Sequence, residues 1–271
     1  EVLEYGRDNS RYMMPTKYLL NVFNENIDSR YYSSFREAQI IPTTSSAYKW
    51  TSTDVATFNK SFAAGSVTLQ PGDTATFYTK KSIADKASRR YGVKDINDLY
   101  KSDGTITTDA ASNIYYPSLR KFRDPNRLVN SDAGTADVII MRLAEMYLIA
   151  AEASYKLNIT TAGQTPADYI NVLRTRAAIK TPVDHTAEMQ VTNSQIDLNF
   201  ILDERARELC GEHLRWLDLK RTKQLENRLG PGKQNPDITS FDPTKHYLRP
   251  VPQAELDVLQ NAKDYGQNPG Y

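Results

Sequence analysis

Asp203-Glu204-Arg205-Ala206-Arg207-Glu208-Leu209 runs on through Cys210-Gly211-Glu212-His213-Leu214-Arg215-Trp216-Leu217-Asp218-Leu219-Lys220-Arg221. Apolar positions recur here at helical spacing, so a helical region is expected from about Ser194 to Arg228, with Gly211 breaking or kinking it. Glu204, Glu208 and Glu212 stand at i, i+4 and i+8 and share one helix face. Like charges so placed destabilise a helix unless cations on a neighbouring element offset them. Paired carboxylates are also what a glycoside hydrolase uses, which makes these three the candidate catalytic acids of this chain. Arg205, Arg207, Arg215 and Arg221 are interleaved with them, and arginines that close favour ionised carboxylates over a proton-donating acid. A structural salt-bridge lattice is therefore the expected role.

Working outward, residues 137–228 are helical in pattern. Val138 to Ala153 is apolar nearly all round, which predicts a buried helix, with Arg142, Glu145 and Glu152 on one side. Thr165-Pro166 then marks the start of a second helix, the Thr as cap and the Pro in the first turn, with Ala167, Ile170, Leu173 and Ala177 on one face. The two make a helical hairpin of tetratricopeptide character. A lone hairpin leaves apolar surface uncovered, because stacked repeats bury one another, and this points to further sequence upstream.

Residues 1–42 read as a loop and a short helix near Pro15 to Phe23. Residues 43–122 are rich in Ser, Thr, Asp, Gly and Tyr, with little helical period. Val67 to Tyr78 alternates around Pro71-Gly72 and predicts a small β-hairpin, and a short helix is expected over Ile83 to Tyr91. From Gly230 the chain is loop-rich. The expected fold is thus mainly α, with tetratricopeptide-like helix pairs packed against an irregular region, the whole being part of one domain.

Composition narrows the function. Lys plus Arg number 34 and Asp plus Glu 33, so the net charge is +1 and no basic field for nucleic acid is present. No apolar run reaches the ~20 residues that cross a bilayer. The single cysteine, Cys210, forms no intrachain disulfide and reads as a small buried hydrophobe. The chain has no GxSxG, HExxH, Walker or GxGxxG motif, and His185, His213 and His246 lack ligand spacing. No cofactor is expected, and an acid–Gly pair such as Asp103-Gly104 allows at most a lone structural calcium. Tyr is in surplus, 17 against 8 Phe, as suits rings that meet both carbon and water.

Several stretches together resemble the RagB/SusD family: Arg142 to Ala153, Asn171-Val172-Leu173-Arg174-Thr175-Arg176-Ala177, Asp203 to Arg221, Tyr247-Leu248-Arg249-Pro250-Val251-Pro252 and Gln267-Asn268-Pro269-Gly270-Tyr271. Tyr115-Tyr116-Pro117-Ser118-Leu119-Arg120-Lys121-Phe122 is also similar, so the likeness spans roughly 110–271, with a weaker echo in Pro15 to Phe35. The resemblance implies a non-catalytic lipoprotein on the outer face of a bacterial outer membrane. Such a protein binds glycan or another nutrient and caps a SusC-like, TonB-dependent transporter. It further implies that this chain is the C-terminal part of such a protein, with the lipid-bearing N-terminus outside it. A pure protein-interaction scaffold is the other non-catalytic possibility.

The family's ligand contacts are aromatic side chains on variable loops, so no motif transfers them. Irregular segments on a rigid scaffold are where such sites tend to lie. The expected ligand-binding residues are Tyr31, Tyr48, Trp50, Tyr115 and Tyr116. Trp50 stands among Ser and Thr and is expected to be exposed, whereas Trp216 lies in an apolar helical pattern and is expected in the core.

Overall fold

The computed structural model describes residues 13–113, 115–129, 134–160 and 162–271. In the loop-rich region, α1 (Lys17–Asn21) starts where the Thr16 hydroxyl accepts from the Leu19 N–H. Next, α2 (Arg30–Ser34) runs directly into β1 (Phe35–Arg36), followed by β2 (Ala38–Ile40) and β3 (Tyr48–Lys49). A Thr51/Asp54 capping box opens α3 (Ser52–Thr57). Then come β4 (Thr68–Leu69), β5 (Thr74–Tyr78), β6 (Gly92–Lys94), α4 (Ile96–Leu99), α5 (Thr108–Asn113) and β7 (Ser118–Leu119). The helical scaffold is α6 (Leu143–Leu157), α7 (Pro166–Ala177), α8 (Thr186–Met189), α9 (Leu198–Glu208), α10 (Arg215–Arg221) and α11 (Leu225–Arg228). Two short helices close the chain, α12 (Gln253–Val258) and α13 (Ala262–Tyr265).

The fold is mainly α, as expected, and its scaffold is tetratricopeptide-like. Thr165 and Asp168 form the capping box of α7, with Pro166 in its first turn. Ala144 and Leu148 of α6 pack with Leu173 of α7 and Leu209. Ala151 packs with Ala167, Ile170 and Ile201 of α9. Each large side chain buried this way contributes about 1.5–3 kcal/mol.

Three local expectations are corrected. The helix predicted from Val138 starts at Leu143, and only its inner face is buried; Leu143, Met146 and Ile149 line an exposed apolar stripe, Leu143 being 70% exposed. The break expected at Gly211 within 194–228 is present: α9 ends at Glu208 and Gly211 turns the chain at φ +78°. A Cβ at Gly211 would lie 2.6 Å from Leu119 Cδ2, so the site suits glycine both in conformation and in space.

The strands flanking Pro71-Gly72 exist, but they do not pair with each other. β4 pairs with β3, while β5 joins β2 on one side and β6 on the other. Ile41 explains this: its N–H donates to the Asp73 carbonyl and its carbonyl accepts from Gly72, which draws the turn onto the end of β2. Residues 83–91 form turns rather than a helix. Their acceptors are used elsewhere: Lys60 Nζ takes the Lys86 and Tyr91 carbonyls, and the Ser61 N–H takes that of Ala87.

Candidate functional site

The acidic face of α9 is the densest concentration of charge in the scaffold, and it is closed. Glu204 is fully buried. Its carboxylate meets Arg30 Nη1 at 2.8 Å, Arg174 Nη1 at 2.9 Å and Arg207 Nη2 at 2.6 Å. Glu208 meets Arg142 at 2.7 Å and Arg30 at 3.1 Å, and also pairs with Arg176. Glu212 pairs with Arg142 at 2.9 Å and with Lys121. The offsetting cations therefore come mostly from other elements: α2, the start of α6 and α7. Burial alone would raise these carboxyls, but the surrounding guanidinium and ammonium groups overcome it and hold all three below the usual carboxylate range. Of the interleaved arginines, Arg207 serves Glu204 and the other three have other tasks. Arg205 and Arg221 pair with Asp218, while Arg215 donates to the Leu202 carbonyl at 2.6 Å and to Gln234. On the α6 side, Arg142, Glu145 and Glu152 all face this lattice, Glu145 reaching Arg205 and Glu152 reaching Arg221.

The five rings expected at a ligand surface separate into two groups. Trp50, Tyr31 and Tyr116 are buried. Trp50 is 4% exposed, edge-on to Phe58 and Phe62 at 5.8 and 5.3 Å, and packed with Ile41 and Leu69. The β3–β4 pairing and the α3 cap fold its loop over its own ring. Tyr31 lies among Phe23 and Phe35, and its hydroxyl donates to Glu37 Oε1 at 2.7 Å. Desolvation and the adjacent Glu37 push that phenol far above its ordinary range. These three rings offer no open face, which corrects the expectation of exposure. Tyr115 is half-buried against Phe58 and Tyr78, with Lys94 Nζ 5.1 Å from its centroid. Tyr48 is 43% exposed, and its hydroxyl donates to Asp54 Oδ2 at 2.6 Å, which raises its pKa. Of the five, Tyr48 alone is exposed.

Trp216 is likewise corrected, being partly exposed. It stands on the wall of an apolar cavity of about 430 Å³ between α1, α9 and α10, together with Met14, Leu19, Leu119, Leu209 and Leu214. Sequence reasoning also missed Tyr32, an exposed ring beside the buried Tyr31, and the basic run at Arg120, Lys121 and Arg123 that faces it. The signal available was the adjacency of two tyrosines on a short amphipathic helix, where one faces in and the next faces out. Asp103, the acid of the Asp103-Gly104 pair, accepts from the Thr105 N–H and hydroxyl in its own turn. Among the described residues no group of three His, Cys, Asp or Glu side chains is placed to hold a metal ion, and no helix is long and apolar enough to cross a membrane.

SusD-like protein P2 of Formosa agariphila is 38% identical over 144 residues, a match covering 52% of this chain and 27% of that protein. The chain therefore spans only a minor part of the length of this relative. A SusD superfamily protein from Bacteroides thetaiotaomicron, known by crystal structure, aligns with 64% of this chain and 36% of its own, at 24% identity and a TM-score of 0.43. The model of the SusD family matches residues 5–271, nearly the whole sequence, and the chain belongs to that family.

Proposed function

We propose that this chain is part of a cell-surface protein that binds glycan or another nutrient without altering it and delivers it to a SusC-like, TonB-dependent transporter. Family membership supports the nutrient-binding role, and lipid tethering at the outer face of the outer membrane follows from the same resemblance. The observation that carries the non-catalytic part is the state of Glu204, Glu208 and Glu212. Glu204 and Glu208 are buried and Glu212 is half-buried, and all three are ion-paired and held ionised, so none is available to protonate a glycosidic oxygen. Tyr48 remains the candidate contact from the irregular region, since exposed rings stack on the C–H faces of sugars. The proposed function invokes no cofactor and no nucleic acid.

A glycan array followed by chromatography of the retained glycan tests this function. Retention of an unaltered glycan is expected. Shortened products that disappear in Glu204→Gln would replace binding by hydrolysis. A protein-interaction role has one observation in its favour, the exposed stripe of Leu143, Met146 and Ile149 on α6. Capture of the transporter from native membranes with no glycan retained would favour it.

A further inference from the structure

A second surface carries more specific chemistry than Tyr48. Three segments distant in sequence are joined by backbone hydrogen bonds. The β1–β7 pairing sets Phe35 opposite Leu119, and the Arg120 N–H then donates to the Ser34 carbonyl at 2.8 Å. On the other side, the Ser29 N–H donates to the Ala177 carbonyl at 2.9 Å and the Ile179 N–H to that of Ile27 at 2.8 Å. Between these segments lies an open cleft of about 570 Å³, lined by Ser29, Tyr32 and Ser33 from the α2 side and by Arg120, Lys121 and Arg123 from the turn that follows β7.

The composition of this lining is one-sided: three cations and no carboxylate. The acids behind it are already engaged, Glu212 by Lys121 and Arg142, Glu208 by Arg30, Arg142 and Arg176, and Glu25 by Lys80. Among the described residues Arg120 forms no ion pair, and its planar fork suits bidentate contact with a carboxylate or sulfate. Tyr32 is 42% exposed, and its ring is held edge-on to the buried Tyr31 at 5.1 Å while Lys81 Nζ donates to its hydroxyl at 3.1 Å. An oriented ring supplies an apolar platform at little cost in side-chain entropy. The Ser29 and Ser33 hydroxyls each donate to a main-chain carbonyl, which leaves their oxygens able to accept from a ligand hydroxyl.

Resting on the nutrient-binding function proposed above, we infer that the cleft between Tyr32 and Arg120 is a binding site for an acidic saccharide. Tyr32 stacks on a sugar ring, and Arg120 engages a carboxylate or sulfate that the ring carries. A bare anion would use the arginine and leave the tyrosine idle, and a neutral sugar would use the tyrosine and leave the arginine idle. The site matches a ligand that has both.

The test uses the full chain, titrated calorimetrically with oligogalacturonate, oligomannuronate and chondroitin sulfate, and with neutral mannan and glucan oligosaccharides. Tyr32→Ala and Arg120→Gln lie at the surface, and their melting temperatures serve as the folding control. At least one acidic probe is expected to bind, tenfold or more weaker in each variant, with affinity falling as salt is raised. Neutral probes binding while acidic ones do not would overturn the acidic-saccharide site and leave nutrient binding standing. Acidic binding unchanged in both variants would place the anion elsewhere and overturn it, and loss in Arg120→Gln alone would reduce the cleft to a plain anion site. No probe binding at all would overturn both this site and the function it rests on.

Discussion

Glu204→Gln is the sharpest test of the buried lattice, because it removes a charge and almost no volume. The wild-type carboxylate is fully buried and serves three guanidinium groups within 2.9 Å. Of these, Arg30 keeps Asp28 and Glu208 after the change. Arg174 and Arg207 keep only neutral acceptors, the Met189 carbonyl for one and the Val22 carbonyl at 3.1 Å for the other. Both side chains are only 12% exposed, so water does little to replace the lost carboxylate. Breaking a buried ion pair on one side costs about 3–5 kcal/mol, and the conserved shape of Gln adds no cavity to that figure. At roughly 2–4 °C per kcal/mol for a chain of this size, the melting temperature should fall by about 10 °C. Urea unfolding followed by circular dichroism measures the loss, and an unchanged m-value would assign it to the folded state. Arg176→Gln is the internal comparison: its side chain is 55% exposed although it pairs with the same face, so it should cost at most about 1 kcal/mol. A Glu204→Gln loss no larger than the Arg176→Gln loss would refute the reasoning, since the lattice would then be no stronger than a surface pair.

Two further predictions concern pH and the irregular region. Glu204, Glu208, Glu212 and Glu152 all have folded-state pKa values below the ordinary 4.5, Glu152 at about 2, where burial is outweighed by Arg221 and Lys156. Groups depressed in this way stabilise the fold fully above their unfolded pKa and lose that contribution as pH falls through the folded value. Stability measured by urea titration should therefore be insensitive to these groups above about pH 5 and decline from pH 4.5 towards 2; a stability maximum near pH 3 would contradict the assignment. Trp50→Ala should destabilise by about 3–5 kcal/mol, as expected for a large aromatic removed from a core. Intact stability with weakened glycan binding would instead return Trp50 to the ligand surface.

The helical scaffold was legible because its signals are local. Thr165-Pro166 specifies a cap and a first turn within two residues, and the spacing of Glu204, Glu208 and Glu212 calls for cations from outside the helix, which Arg30, Arg142 and Arg174 supply. Arg142, Glu145 and Glu152 announced the inward polar edge of α6 in the same way. The irregular region resisted because its strands span only two to five residues, and pairing between them depends on turns that no period reveals. Trp50 shows the difficulty most plainly. Its immediate neighbours are polar, yet its packing partners Phe58 and Phe62 arrive eight and twelve positions later, brought back by α3 and the turn after it. Local polarity reported the loop and not the ring. Trp216 errs in the opposite direction, because an apolar helical pattern cannot say whether the space beside it is filled or left as a cavity.

The placement of the two tryptophans has an optical consequence. Trp50 is sealed among phenylalanines in the loop-rich region, whereas Trp216 is partly open to water on the helical scaffold. Their emission should separate into a blue component shielded from acrylamide and a redder one that acrylamide quenches readily. Unfolding moves both to the same solvated spectrum, but each reports its own surroundings until then. The native chain thus carries one tryptophan in each part, and following the two bands during heating, with excitation selective for tryptophan, would show without any label which part lets go first.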